Sequence, residues 1–339
     1  MFGKSRTCVG LDIGTYSIEA VELSVSGSKG KVTGFGYEEI PSEEARHEAL
    51  GRLVQECRLK NRDVASSVSG RNVIVRYVNM RKMSDEELRS AIKFEADKYI
   101  PFGVDEVVLD CQRLEGSEGL GAEEMRVLLV AVKRNVIEEH VGLLRNVGLN
   151  PVVIDVDVFA LGNAYQFTSA EPLADTDVTA LVDIGSTKTN INVLQGSRSL
   201  FTREVYVAGA DFSSNMARRL SMNPYEVEQL KREPQDRDKE IIDAVSSAVD
   251  DLGNEVRLSL DFFENEFEKE VTSVKLSGGG ARLVGVPEAL GAIFKKPTAC
   301  WDPVGNLELN LNAEGDENFR QNASQATVAL GLAARLGRK

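Results

Sequence analysis

The chain has 339 residues, 42% of them hydrophobic, and a formal net charge of −13. That length predicts two domains or more, and the apolar content excludes a disordered chain. The acidity excludes general binding to a nucleic-acid backbone, which takes dense Lys and Arg; a single nucleotide remains allowed, because backbone N–H groups and a metal can offset its charge.

Residues 7–25 read as two strands around a tight turn, with a third strand near "KGKVTGFGYEEI". "SEEARHEALGRLVQECRLK" (42–60) reads as an amphipathic helix started by Ser42, with Leu50, Leu53, Val54 and Cys57 on one face. "NVIVRYVNM" (72–80) is a β-branched strand. Ser84 and Glu87 form a capping box for the next helix, whose face carries Leu88, Ala91, Ile92 and Tyr99 and which Pro101 stops. A strand–loop–strand hairpin around "EGSEGLGAEE" follows, then a helix at "NVIEEHVGLLRNVGL", then a strand passing into a helix within "NPVVIDVDVFALGNAYQF".

The polar stretch 168–177 reads as a hinge, after which the chain restarts with the same strand–turn–strand pattern and a strand near "SLFTREVYVAG". Residues 211–270 are an acidic, mostly helical block. "SVKLSGGGARLVGVPEAL" is strand, glycine loop and helix, and "QNASQATVALGLAARL" is an Ala-rich terminal helix. Two halves with a common opening, each carrying an insertion, predict duplicated α/β domains that face one another.

Cys8, Cys57, Cys111 and Cys300 form no CxxC pair, and with only His47 and His140 beside them a zinc site is not expected. Free thiols fit a reducing cytoplasm. "MFGKSRTCVGLDIG" has no signal-peptide core and no run approaches the ~20 apolar residues of a membrane span, so a soluble chain is expected, reaching a membrane only through a partner.

The repeated "LDIGTYS" and "VDIGSTKT" carry the chemistry. Gly14 and Gly185 permit a tight turn between adjacent strands. Thr15, Tyr16 and Ser17 in one copy, and Ser186, Thr187 and Thr189 in the other, offer amides and hydroxyls that can cradle phosphate oxygens. Asp12 and Asp183 face the same space, where an anion beside phosphate needs an intervening cation; Mg²⁺ held largely through water suits two such carboxylates. One copy alone would read as a hairpin turn with a surface Asp; two copies at equivalent places favour a site. Gly278, Gly279, Gly280 and Ala281 form a loop over which backbone can approach a flat ligand. Glu228 and Lys231, three apart on one helix, read either as a solvated ion pair or as a bracket for ribose hydroxyls.

This order of motifs resembles the actin, Hsp70 and sugar-kinase ATPase superfamily. "MSDEELRSAIKFEADKYIPFGVDEVVLDCQRL", "VDIGSTKTNINVLQGSRSLFTREVYVAGADF" and "QATVALGLAARL" are similar to the PilM family, the actin-like, FtsA-related cytoplasmic proteins of type IV pilus assembly. The resemblance implies an actin-like ATPase fold of two ribonuclease-H-like domains. Subdomain 1A would span 1–80 and 153–176, an inserted 1C 81–152, 2A 177–212 and 272–339, and 2B 213–271. It also implies ATP with Mg²⁺ between the halves. A groove beside 1C would dock the N-terminal cytoplasmic peptide of a PilN-like bitopic membrane protein, with helix 84–99 contributing a few lining residues and the rest packing as core. A PilO-like protein would be an indirect partner, a motor ATPase or platform protein a direct one, and self-association is open.

The family's first phosphate motif commonly has lysine where this chain has Glu19, and superposing the two turns pairs Glu19 with Asn190, so neither supplies a cation at that place. Glu19 either points harmlessly into solvent, the favoured expectation, or weakens nucleotide binding. Asp155 and Asp157, where a strand meets a helix, are candidates for a general base, Asp157 first; alternatively Asp157 caps that helix. ATP binding with slow or absent turnover is therefore expected. The competing function is an FtsA-like polymerising homologue of cell division. A small-molecule kinase and a fused secretion homologue are disfavoured, for want of an acceptor-site base and of a transmembrane segment.

Overall fold

Each half of the larger unit opens with three antiparallel strands, which short turns can join directly. The computed structural model describes residues 6–26, 29–57, 59–114, 123–169 and 173–337. Most of the polar loop 115–124, part of the hinge 168–177 and the first five residues of the N-terminal stretch lie outside the described residues.

In chain order the elements are β1 (Arg6–Ile13), β2 (Ser17–Ser26), β3 (Lys29–Glu39), α1 (Arg46–Glu56), β4 (Asp63–Val68), β5 (Val73–Arg81), α2 (Asp85–Glu95), β6 (Val107–Arg113), β7 (Glu124–Lys133) and α3 (Arg134–Asn146). They continue with β8 (Asn150–Val156), α4 (Asp157–Thr168), β9 (Val178–Ile184), β10 (Thr189–Gln195), β11 (Arg198–Val205), α5 (Gly209–Leu220), α6 (Pro224–Arg232) and α7 (Asp238–Phe267). Last come β12 (Ser273–Ser277), α8 (Val286–Phe294), β13 (Thr298–Cys300), β14 (Glu308–Leu309), α9 (Ala313–Asn322) and α10 (Thr327–Gly337).

The larger unit comprises 1–67 and 147–339. Its first sheet runs β14-β3-β2-β1-β4-β8 and its second β11-β10-β9-β12-β13. Apart from the short edge strand β14 the two orders match strand for strand. In each, the opening three strands are antiparallel and the fourth runs parallel to the first, β4 with β1 and β12 with β9. The expected duplication is thus visible as topology. β9, "VTALVDI", is buried at every position, as a central strand covered on both faces must be.

α10 presses against β1 and α4. A Cβ added at Gly10 would lie 1.9 Å from the Ala329 carbonyl oxygen, and one at Gly331 would lie 1.8 Å from that of Ala160. No other residue type fits at either contact without moving backbone. Nine of the eleven α10 residues are buried, so this helix belongs to the core.

The second compact unit spans 68–146. Its sheet runs β5-β7-β6 and packs a core that includes Val78, Met80, Leu88, Ile92, Val127 and Leu129. The strand expected at 72–80, β5, pairs antiparallel with β7 along its whole length, and β8 returns to the first sheet. Strand pairing across a long connection is not written in local periodicity.

Two helix starts behave differently from each other. Ser84 and Glu87 make the expected capping box on α2, whereas α1 begins at Arg46 behind Ala45 without a side-chain cap, so Ser42 has no such role. On α2, Leu88 and Ile92 are buried as expected while Phe94 is 84% exposed.

Candidate functional site

The two Asp-Ile-Gly turns have one backbone design. In the antiparallel ladders Asp12 sits opposite Glu19 and Asp183 opposite Asn190. The Gly14 N–H donates to the Ser17 carbonyl (2.9 Å) and the Gly185 N–H to the Lys188 carbonyl (3.0 Å). The same carbonyls stand 2.8 and 3.0 Å from where a Cβ would sit on either glycine, which explains the residue type. The turns also meet: Thr15 Oγ1 and Thr187 Oγ1 are 3.2 Å apart. Backbone N–H groups at the start of α5 hold the second turn, Gly209 to the Gly185 carbonyl and Ala210 to that of Ser186. Thr189 is fully buried and donates its hydroxyl to Val207, so that oxygen serves the backbone.

Five carboxylates and one ammonium converge behind these turns. Asp157, in the first turn of α4, receives a 2.5 Å hydrogen bond from Lys188 Nζ, and Glu204 of β11 lies 3.7 Å from the same nitrogen. Asp157 is the first residue of α4, and Val156 occupies the N-cap position without a side-chain bond. Burial works against the charged form of Lys188, but Asp157 and Glu204 push its pKa up. Asp12 is held well above the ordinary carboxylate value by burial first, then by the charges of Asp157 and Glu19, with Lys188 opposing. Burial raises Asp183 to about 6, against a hydrogen bond from Ser277 Oγ (2.8 Å). Asp155 is turned elsewhere, receiving a 2.7 Å bond from Arg335 of α10.

Glu19 does not point into solvent. It is 3% exposed, accepts a 2.6 Å bond from Ser17 Oγ, and burial pushes its pKa up to about 8. Its place in the pleat accounts for this: Glu19 lies opposite Asp12 on an interior strand, so both side chains stand on the same covered face.

The glycine loop docks on the second turn, and α6 packs on α5. Gly278 has φ +85°, and a Cβ there would meet the Ile184 carbonyl oxygen at 2.4 Å; one on Gly280 would meet the Ile184 side chain. Gly279 and Ala281 complete this loop, with Ala281 buried. Glu228 and Lys231 of α6 pair with each other at 3.1 Å, and both bond Ser213 of α5, at 2.6 and 2.9 Å. The next residue, Arg232, donates to Tyr16 Oη (2.6 Å) and to Glu39, tying α6 to the first turn and β3.

The donor set fits an anion accompanied by a hydrated cation. Among the described residues no three His, Cys, Asp or Glu groups are arranged to ligate a metal directly. Mg²⁺ held by one or two carboxylates, water and phosphate oxygens needs no such cage. Two buried polar atoms beside the carboxylates lack a hydrogen-bond partner: Asn190 Oδ1 opposite Asp183, and Ser67 Oγ, one residue past the Leu11–Ser66 pair toward Asp12. In the second half the matching serine, Ser277, is satisfied by Asp183. Buried polar groups are normally paired, so these two mark space suited to a polar ligand. Lys188 was missed from the sequence although it stands between Thr187 and Thr189; a lysine in a turn reads as solvated, and only the fold puts Asp157 next to it. Tyr16, Glu39 and Arg232 were likewise not legible as a group.

Comparison with known proteins agrees with this architecture. The family model described as type IV pilus assembly protein PilM matches residues 10–336. The PilM chain of a solved "PilM-PilN type IV pilus biogenesis complex" is similar at 27% identity, with 98% of each chain covered and a TM-score of 0.84. The ethanolamine utilization protein EutJ from Carboxydothermus hydrogenoformans, at 15% identity, covers 97% of this chain and 90% of its own, with a TM-score of 0.58. MreB 5 of Spiroplasma citri, solved bound to AMPPNP, shares 12% identity over 97% of this chain and 95% of its own, with a TM-score of 0.55. The last two share the fold alone, which is the actin-like ATPase fold. The chain belongs to the PilM family of type IV pilus assembly proteins.

Proposed function

We propose that the chain is a nucleotide-binding scaffold of the type IV pilus inner-membrane platform. It binds ATP with Mg²⁺ at the paired turns and docks the N-terminal cytoplasmic peptide of a PilN-like membrane protein on the unit 68–146. The observation that supports this most is the convergence of Asp12, Asp157, Asp183 and Lys188 on two matched turns in a chain of this family. Asp12 and Asp183 would face the hydrated metal, and the hydroxyls and amides of residues 14–17 and 185–187 would receive phosphate. The glycine loop 278–281 would lie under the base, and Glu228 with Lys231 would meet the ribose. The Mg²⁺ would neutralise phosphate charge there. Asp157 is the candidate general base, and its engagement by Lys188 supports slow or absent hydrolysis.

Subdomains 1A, 1C, 2A and 2B follow as assignments, with 1C on the 68–146 unit. No helix among the described residues is long and apolar enough to cross a membrane. A cytoplasmic place beside the inner membrane, reached through the PilN-like partner and indirectly a PilO-like one, is consistent with that. A motor contact belongs to the same reading. Burial of α10 in the core disfavours its use as a membrane-lying helix of the division-type homologue.

Titration with ATP, with and without Mg²⁺, tests the site. Asp12→Ala and Asp183→Ala should each weaken binding in Mg²⁺ by at least about tenfold; unchanged affinity in both removes the assignment. A peptide copied from the N-terminus of a PilN-like protein should bind the isolated chain, and Phe94→Asp should weaken it, because an 84% exposed ring is a natural anchor. No peptide binding with or without nucleotide sinks the scaffold role.

A further inference from the structure

Of the six ionisable groups described behind the turns, Asp12, Glu19, Asp157, Asp183 and Glu204 are acids and Lys188 is the base. A nucleotide's phosphates entering beside these carboxylates need a positive partner from the chain as well as from a metal. At the residue of each turn whose carbonyl accepts the glycine N–H, the first has Ser17 and the second Lys188. Ser17 turns back to Glu19, whereas Lys188 reaches Asp157 on α4.

Its side chain is 19% exposed, and its charge is felt by Asp12 and Asp183 alike, which places the ammonium among the acids of both turns. Lysine carries a compact charge on a flexible stem with three donors, so it can change partner without moving the backbone. The Lys188 backbone is fixed independently by the Gly185 hydrogen bond and by the β9–β10 ladder that starts at Thr189.

We infer that Lys188 is the phosphate-binding cation of this site, and that it exchanges its ion pair with Asp157 for a phosphate of the bound nucleotide. The inference rests on the nucleotide-binding reading above. Through the exchange the phosphate gains a charge-assisted donor. Asp157 therefore guards Lys188 before nucleotide arrives. No lysine stands at the Glu19 position of the first turn, where the buried side chain is an acid; Lys188 comes from the second.

ATP affinity measured by calorimetry on five proteins tests this: wild type, Asp157→Asn, Lys188→Met, Lys188→Arg and the double variant Asp157→Asn/Lys188→Met, each checked for folding by thermal melting. Asp157→Asn should bind ATP as tightly as wild type or more tightly, because its lysine is released. The double variant should bind roughly tenfold to a hundredfold more weakly than Asp157→Asn, the loss of a hydrogen bond to a charged group. Lys188→Arg should retain more affinity than Lys188→Met. Equal affinity of the double variant and Asp157→Asn overturns the inference, since Lys188 would then only neutralise Asp157. If Lys188→Met alone fails to fold, the comparison of Asp157→Asn with the double variant, which leaves no unpaired carboxylate at that position, still decides. Failure of the wild type itself to bind ATP overturns the nucleotide reading and this inference with it, and is recognised in the first titration.

Discussion

The two turns share a backbone and differ in charge. Each has a glycine N–H closing on a carbonyl three residues on, and each sets an Asp opposite a residue early in the returning strand: Asp12 faces Glu19 and Asp183 faces Asn190. In the first, Ser17 serves Glu19, Tyr16 is held by Arg232 from α6, and Ser67 is left without a partner. In the second, Lys188 serves Asp157, the glycine loop packs from behind, and Ser277 satisfies Asp183. Duplication preserved what the pleat and the glycine require. Charge was free to diverge, because one shared space needs a suitable total and not the same residue on both sides.

The contrast can be broken most severely at the glycine loop. Gly278→Ala should destabilise by about 3 kcal/mol, since the Cβ meets the Ile184 carbonyl at 2.4 Å at a φ of +85°. Urea unfolding followed by circular dichroism checks this, and a loss below about 1 kcal/mol would mean that the loop is not seated against the second turn.

Glu19→Gln sharpens the electrostatic half of the comparison. A carboxyl raised from 4.5 to about 8 binds its proton more tightly in the folded chain. Its contribution is complete below pH about 4.5 and is lost as pH rises toward 8. Wild-type stability should therefore fall across that window by up to a few kcal/mol, and the glutamine variant should show a shallower fall and greater stability at pH 8. Melting temperatures read at intervals of pH measure it; parallel profiles for the two proteins contradict the buried charge.

The smallest effect belongs to the tie across the first turn. Arg232 is half exposed, so Arg232→Ala should cost about 0.5–1 kcal/mol in unfolding and less at high salt. A larger, salt-insensitive loss would show that Tyr16 and Glu39 depend on it for packing.

Much of this was legible in the sequence, for reasons that also set the limit. Alternating apolar runs and the Asp-Ile-Gly repeats marked β1, β2, β9 and β10, and the strand–glycine–helix run marked β12 and α8, because local period and turn chemistry are short-range properties. The partner of β5 was not legible, since pairing with β7 spans a whole helix and hairpin. Residues 298–322, with β13, β14 and α9, were left without elements. Their strands are two or three residues long and carry no readable period. Around the turns, the closure at Gly14 and Gly185 follows from the local sequence, while the Lys188–Asp157 pair and the burial of Glu19 do not. Both depend on which group stands opposite, and a side chain's charge says nothing of its neighbours until the strands are paired.

The seating of α10 has a consequence for how the protein folds. β1 and α10 are far apart in the chain, yet Gly10 brings their backbones into contact, and Gly331 does the same for α10 and α4. The covered face of the first sheet therefore closes only when these distant segments have met. Until then the apolar side chains of β1 and β2 lack that cover, and closing a contact of such long sequence separation is slow. The second sheet takes its cover of α5, α7 and α8 from residues nearer to it in the chain.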